Sequence, residues 1–296
     1  MRRLPWSRKA LVATLLASAG CTAVTDVDRF GSSLEEPKGN YRTLDFTITG
    51  MVSHISKYFE MRLIDGRGWT QFIAISDPFE PDEVARFVAP SVVPRSNANE
   101  YRLDFFGDMN NDRVFNDNQS TDTEGKFVDR DHSWRIERLD RAQQPMLRIE
   151  PNRIRVNYVH NTEFKDLNVP PRPTEITGSP VSITLTKLDR FYTKRLEVRI
   201  FSLDEGEPRT IGLFRVARVK EQPEITVTLP EIIRESNTPY EISVYVDANG
   251  NDEYDDPSRG RGDLGWRFRV TSQADRTLRV GFDPDETESN VAVGEP

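Results

Sequence analysis

The chain is built from two copies of one segment, and this duplication limits its fold more than any other feature of the sequence. The twenty residues that start at Phe46 align without a gap with the twenty that start at Ile183. A second block, which starts at Tyr101, aligns in the same order with the block that starts at Tyr240. Two matches in the same order, with a similar acidic loop after the second block in both copies, indicate a tandem duplication. Both halves must therefore be able to form the same structure.

Both copies show the alternation of apolar and polar residues that is typical of β-strands. Phe59, Met61 and Leu63 alternate with charged residues, and the second copy repeats this pattern from Leu196 to Ile200. Such alternation places one face of a sheet in a core and the other in solvent. We therefore predict an all-β chain of two tandem antiparallel β-sandwich domains, immunoglobulin-like or transthyretin-like, each with about six or seven short strands. The alternating Glu and Arg side chains are expected on the solvated face.

Proline-rich and polar segments divide the chain. We predict one domain over residues 41–167 and a second over residues 175–283, joined by a proline-rich linker at 168–174. Residues 21–40 have no periodic pattern and are interpreted as a flexible tether, and the acidic residues 284–296 as a disordered tail. Because each copy has its own set of strands, we expect each half to bury its own core and to fold independently.

The first 20 residues have the features of an export signal. They carry four basic and no acidic side chains, Ala10 to Ala19 is apolar, and small residues lead to Cys21, the single cysteine of the chain. The apolar stretch is too short to span a bilayer. The pattern resembles the signal peptide of bacterial lipoproteins, in which this cysteine is lipidated, although Ser18 departs from the usual leucine. An ordinary cleaved signal is the alternative. The resemblance implies a lipid anchor and, because Thr22 is not aspartate, the outer membrane as the destination.

An Asp/Asn-rich loop follows the predicted strand in each copy that begins at Tyr101 or Tyr240. Both loops fit D-x-N-x-[DN]-x-x-[FY]-[DN]-D, and calcium takes about six to eight oxygen ligands, which alternate oxygen side chains can supply. We predict Ca²⁺ as a cofactor bound by Asp108, Asn110, Asp112, Asn116, Asp117, Asp247, Asn249, Asn251, Asp255 and Asp256. The loops resemble calcium loops of bacterial surface sandwiches and of small transthyretin-like domains, which implies a fold and calcium but no activity. The alternative is a pair of Asx-turns in hairpins.

A second shared motif follows each loop, an aspartate three residues before a Trp-Arg pair. We interpret Trp134 and Trp266 as core residues at the start of a strand. For Asp131 and Asp263, the sequence leaves open whether they belong to a turn or add ligands to the predicted metal site.

The remaining candidate residues do not predict an enzyme. His54, His132 and His160 do not recur in the other copy, and their spacing matches no zinc or Ser-His motif, so a catalytic zinc site is not expected. A net charge of −8 argues against nucleic-acid binding. The sequence favours a non-catalytic, calcium-stabilised, membrane-anchored lipoprotein that presents a binding or structural module to an envelope protein or glycan. A carboxylate-dependent, glycosidase-like hydrolase with a groove between the domains is the alternative.

Overall fold

The computed structural model describes residues 39–79, 84–113, 115, 131–139, 146–160, 178–203, 207–222, 224–250 and 263–285. The predicted signal peptide, Cys21, nearly all of the tether, the linker and residues 286–296 of the tail lie outside these ranges. Five of the predicted calcium ligands also lie outside them: Asn116, Asp117, Asn251, Asp255 and Asp256. No helix in the described part of the chain is long and apolar enough to cross a membrane.

The regular structure of the described residues consists of β-strands and short 3₁₀ turns, which confirms the all-β prediction. The strands of the first half are β1 (Tyr41–Thr49), β2 (Tyr58–Ile64), β3 (Thr70–Ser76), β4 (Ala85–Pro94), β5 (Arg102–Asp108), β6 (His132–Ile136), β7 (Leu147–Ile149) and β8 (Arg153–Val159). Those of the second half are β9 (Ser179–Thr186), β10 (Leu196–Ser202), β11 (Arg209–Val216), β12 (Glu224–Ile233), β13 (Pro239–Val246), β14 (Leu264–Thr271) and β15 (Leu278–Phe282). The 3₁₀ turns are η1 (Val52–His54), η2 (Ala98–Glu100) and η3 (Asp189–Phe191).

Each half is a sandwich with the same strand order, as the duplication predicts. The outer sheet of the first half has the order β4-β1-β8-β7, and that of the second half has the order β12-β9-β15. The facing layers have the orders β3-β2-β5-β6 and β11-β10-β13-β14. In the first outer sheet, β1 pairs antiparallel with β4 and parallel with β8. In the second outer sheet, β9 pairs in the same way, antiparallel with β12 and parallel with β15. The first two strands of each half thus lie in different sheets, unlike the first two strands of an immunoglobulin domain.

The two sandwiches share one sheet. Strands β3 and β11 pair in parallel and join the facing layers into eight strands, with the order β14-β13-β10-β11-β3-β2-β5-β6. Leu213 lies opposite Ala74, and both pack into the first core; Phe214 lies opposite Ile75, and both pack into the second. Because neighbours in register point to the same face, the two cores lie on opposite faces of this sheet. The halves therefore exchange core residues, contrary to the expectation of two self-contained cores.

The alternating Glu and Arg side chains of β2 and β10 are buried, so the prediction of a solvated face is wrong. The reason is that each outer sheet extends over the neighbouring half, so that β4 packs on β11 and β12 packs on β3. Arg62 donates to Glu60 at 2.5 Å and to Glu231 of β12 at 2.7 Å. A local pattern shows which side chains share a face, but it does not show what covers that face.

The corresponding cluster in the second half is centred on Glu197. This carboxylate accepts a hydrogen bond from Arg199 at 2.6 Å and two from Arg215, at 2.7 Å and 3.1 Å. Arg215 also donates to the carbonyl oxygen of Arg86 at 2.5 Å, which ties β11 to β4 of the other half. Burial alone would raise the pKa of Glu197, but the two guanidinium groups outweigh it and hold this pKa at about 2. The junction between the halves thus contains charged groups that satisfy one another.

Candidate functional site

The first acidic loop is closed by its own aspartate. Asp108 Oδ1 accepts from the backbone N–H groups of Asn110 at 3.1 Å and Asn111 at 2.6 Å, and Asp108 Oδ2 accepts from that of Arg113 at 2.6 Å. Asn110 donates through its side chain to Asp112 at 3.1 Å. This arrangement is that of nested Asx-turns. Asp108, Asn110 and Asp112 are thus brought together, with hydrogen bonds already made to the carboxylate of Asp108.

The aspartates before the two tryptophans hold the loops to the sheet. Asp131 accepts from the backbone N–H of Met109 at 2.8 Å, and Asp263 accepts from that of Ala248 at 3.1 Å. Asp247 accepts from the N–H of Gly250 at 2.7 Å, so the second loop begins with a similar turn. The equivalent contacts in both halves assign Asp131 and Asp263 a structural role in loop closure. Calcium binding by these loops stays a prediction, because half of the predicted ligands lie outside the described residues.

The prediction that Trp134 and Trp266 are core residues is confirmed. Both are nearly completely buried, and they lie on β6 and β14, the strands that begin directly after the aspartates that close the neighbouring loops. Trp134 stacks on Phe105, with ring centroids 5.5 Å apart, and its other ring neighbours are Tyr158 and the three histidines of this half.

Three histidines meet at one end of the first sandwich, which the sequence did not predict. His54 ends η1 in the link between β1 and β2, His132 begins β6, and His160 directly follows β8. Their ligand atoms all lie within 4.8 Å of one another, and within the described residues no other group of three or more His, Cys, Asp or Glu side chains does so. Since the chain places each histidine at the end of a different element, only the topology brings them together.

The ring nitrogens of the three histidines lie close to one another. His54 Nε2 lies 3.3 Å from His160 Nε2 and 3.0 Å from His132 Nδ1. His54 and His160 are buried, whereas His132 is half-buried and connects the group with the surface. Burial, followed by the nearby His132, His160 and Lys57, lowers the pKa of His54 to about 3, and burial also lowers the pKa of His160. Both rings are therefore neutral at pH 7, the form that binds metal ions.

Gly107 makes room for this cluster. It lies on β5 directly opposite His132, and a Cβ atom at this position would collide with Nδ1 of His54. The close approach of the His54 ring to the sheet thus requires glycine here. The three histidines and Gly107 thus pack together in space, although His54 and His160 are distant from the others in sequence.

A cleft of about 230 Å³ lies where the two halves meet, and both halves line it. Its lining includes Arg67, Arg209 and Arg234, and the guanidinium groups of Arg67 and Arg234 lie 4.0 Å and 5.4 Å from the centre of the Trp69 ring. Burial, followed by the neighbouring Arg209, lowers the pKa of Arg234. The other polar or aromatic lining residues are Tyr41, Gln71, Tyr101, Ser202, Glu235 and Tyr240. The cleft is therefore cationic and aromatic.

Comparisons with known proteins do not assign the chain to a family. No family model matches the chain, and no curated protein matches it. A crystal structure from Parabacteroides distasonis, provisionally described as a cell adhesion protein, is similar over 87% of this chain and 92% of its own, with 13% identical residues and a TM-score of 0.22. A TM-score this low carries no argument about the function of the present chain.

Proposed function

We propose that this chain is an exported, lipid-anchored, non-catalytic binding module of the bacterial envelope, and that the junction cleft binds an acidic glycan. The observation that carries the proposal is the concentration of three arginines and three tyrosines in a cleft formed by both halves. The anchor rests on the N-terminal sequence pattern that ends at Cys21. Calcium bound in the acidic loops would stabilise the module rather than take part in chemistry.

The chemistry of the cleft suits a sugar that carries a carboxylate. A guanidinium group presents a planar set of donors that matches a carboxylate with two parallel hydrogen bonds. Tyrosine rings add flat apolar surface with a polar hydroxyl, which suits a saccharide ring. A peptide carboxylate would use the arginines but needs fewer aromatic side chains. An acidic saccharide therefore uses more of the cleft.

The lining of the cleft favours binding over hydrolysis. Glycoside hydrolysis by the usual mechanisms needs two carboxyl groups on opposite sides of the bond, about 5–9.5 Å apart. Among the described lining residues, Glu235 is the one carboxylate. The nearby Asp65 accepts hydrogen bonds from the side chains of Arg67 and Gln71. These contacts give it a structural role beside the cleft.

Glycan binding can be tested on an array of neutral and acidic oligosaccharides, followed by calorimetry with the strongest ligand. We expect acidic members to bind and their neutral counterparts to fail. Arg209→Gln should weaken binding about 10-fold to 100-fold, the range for one hydrogen bond to a charged group. Arg148→Gln is the matched control, because Arg148 is 77% exposed on β7 and is not part of the lining. Equal binding of neutral and acidic glycans, or equal effects of both substitutions, would contradict the proposal.

The anchor has a separate test. Metabolic labelling with an alkyne fatty acid should label the wild-type protein, whereas Cys21→Ser should remove the label and release the protein from membranes or leave it unprocessed. Several acyl chains hold a protein durably on a bilayer, while a single chain does not. Label that persists in the serine variant would refute lipidation at Cys21 without affecting the glycan proposal.

A further inference from the structure

Two of the distances between the histidine nitrogens match the spacing of ligands around one metal ion, and the ligand atoms of all three side chains lie within 4.8 Å of one another. Nitrogens bound to a tetrahedral Zn²⁺ at about 2.0–2.1 Å lie about 3.3 Å from one another. The two distances that meet at His54 Nε2 are 3.3 Å and 3.0 Å. Neutral imidazole has one donor and one acceptor nitrogen, so His54 Nε2 cannot satisfy both neighbours with a single proton or a single lone pair. A cation at the centre would accept all three lone pairs.

The second half of the chain shows that the fold does not require histidines at these positions. The repeat alignment places Phe191 opposite His54 and Leu264 opposite His132, and both of these residues belong to or pack against the second core. Val246 stands where the first half has Gly107. The same end of the same sandwich is thus closed by apolar side chains in one copy and by imidazoles in the other. The histidines and the glycine are therefore a specific feature of the first half.

We propose that His54, His132 and His160 bind one divalent transition-metal ion of the Zn²⁺ class. Imidazole nitrogen suits zinc and its neighbours in the first transition series, whereas calcium and magnesium prefer oxygen. Three protein ligands leave the fourth tetrahedral position for water or an added ligand. The ion links η1, β6 and the end of β8, and the half-buried His132 gives it a route from solvent. This site is separate from the acidic loops and from the junction cleft.

The test is calorimetric titration of the metal-free full-length chain with Zn²⁺, together with the absorption spectrum of the Co²⁺ complex. The wild type should bind one equivalent of Zn²⁺, and Co²⁺ should give the intense visible bands of a tetrahedral site. His54→Phe and His132→Leu introduce the residues that the second half already has, so the fold should tolerate them. Each should weaken Zn²⁺ binding at least 100-fold and remove the Co²⁺ bands, with the circular dichroism unchanged.

The matched control is Asp112→Asn in the first acidic loop, which should leave Zn²⁺ binding unchanged. If His54→Phe fails to fold, His132→Leu still tests the site, because residue 132 is only half-buried. Absence of one-equivalent binding by the wild type would overturn the proposal, and so would equal binding by the wild type and His132→Leu. The three rings would then form a hydrogen-bonded imidazole cluster without metal.

Discussion

Replacement of Glu197 by glutamine should destabilise the whole protein, because this carboxylate neutralises two buried guanidinium groups. The pKa of Glu197 lies at about 2 in the folded chain and has an ordinary value of 4.5. A difference of this size corresponds to about 3 kcal/mol of stability at pH 7. The substitution also leaves Arg199 and Arg215 without their carboxylate, and breaking a buried ion pair in this way costs about 3–5 kcal/mol. Both routes give about the same loss.

The pH dependence of this loss has a definite sign. Because the folded pKa is depressed, the stabilisation by Glu197 is complete above the unfolded pKa of about 4.5 and is lost as the pH falls towards 2. The difference in unfolding free energy between the wild type and Glu197→Gln should therefore be constant from pH 7 to about pH 5. At pH 3 this difference in unfolding free energy should be smaller, because Glu197 is then protonated in much of the unfolded chain.

Urea unfolding followed by tryptophan fluorescence at pH 7 and pH 3 measures both effects. At pH 7 the melting temperature should also fall by roughly 6–12 °C, as expected for a chain of this size. Glu224→Gln is the control, since Glu224 is exposed on β12 and its substitution should change stability by less than about 0.5 kcal/mol. A loss below about 1 kcal/mol at pH 7 would refute the reasoning, as would a loss that stays the same at pH 3.

Three further predictions follow from the shared sheet and the loops. Gly212→Val should cost about 1–3 kcal/mol, because a Cβ at this position lies 2.9 Å from Leu229 Cδ1 of β12; urea unfolding measures the loss. Residues 41–167 alone should dimerise or aggregate, because without the second half the face of β3 that carries Ile73 and Ile75 is exposed. Light scattering after size exclusion measures the oligomeric state of this fragment. Millimolar Ca²⁺ should raise the thermal stability of the full chain above its value in EGTA, by about 1.4 kcal/mol per occupied loop at ten times the dissociation constant, and Asp108→Ala with Asp112→Ala should remove the contribution of the first loop.

Each of these predictions has a result that contradicts it. Wild-type stability in Gly212→Val would mean that β12 does not pack on β11 as described. A stable, monomeric 41–167 fragment would mean that the shared sheet is dispensable for the first half. Melting temperatures that do not change with calcium would mean that the acidic loops are hairpin turns closed by Asx hydrogen bonds, without a bound ion.

Local alternation in the sequence is enough to indicate most strands, including β12, in which Ile225, Val227 and Leu229 alternate with polar residues. β4 is different, because its pairing with β1 shifts register between Arg42 and Leu44, and Pro90 interrupts its pattern. An irregular edge strand of this kind leaves no clear period.

The parts that the sequence did not predict depend on contacts between distant segments. His132 and His160 lie 78 and 106 residues from His54, and their meeting follows only from which strand ends share one end of the sandwich. Glu60 and Glu197 are buried because β12 packs on β3 of the first half and β4 packs on β11 of the second half. By contrast, Asp131 and Asp263 bond to the loop next to their own strand, and the sequence singled them out beside Trp134 and Trp266 but left their role open.

The pairing of β3 with β11 has a consequence for the origin of the chain. A single copy would leave β3 as an open edge strand, which exposes unpaired backbone groups to other chains. The equivalent strand of the second copy fills this edge, with the two outer sheets on opposite faces, which is the arrangement of a two-fold symmetric homodimer. Fusion of two such subunits keeps the partners together at any dilution. After fusion the two copies can also diverge in sequence. The three histidines of the first copy, where the second copy has apolar residues at the equivalent end of its sandwich, are an example of this divergence.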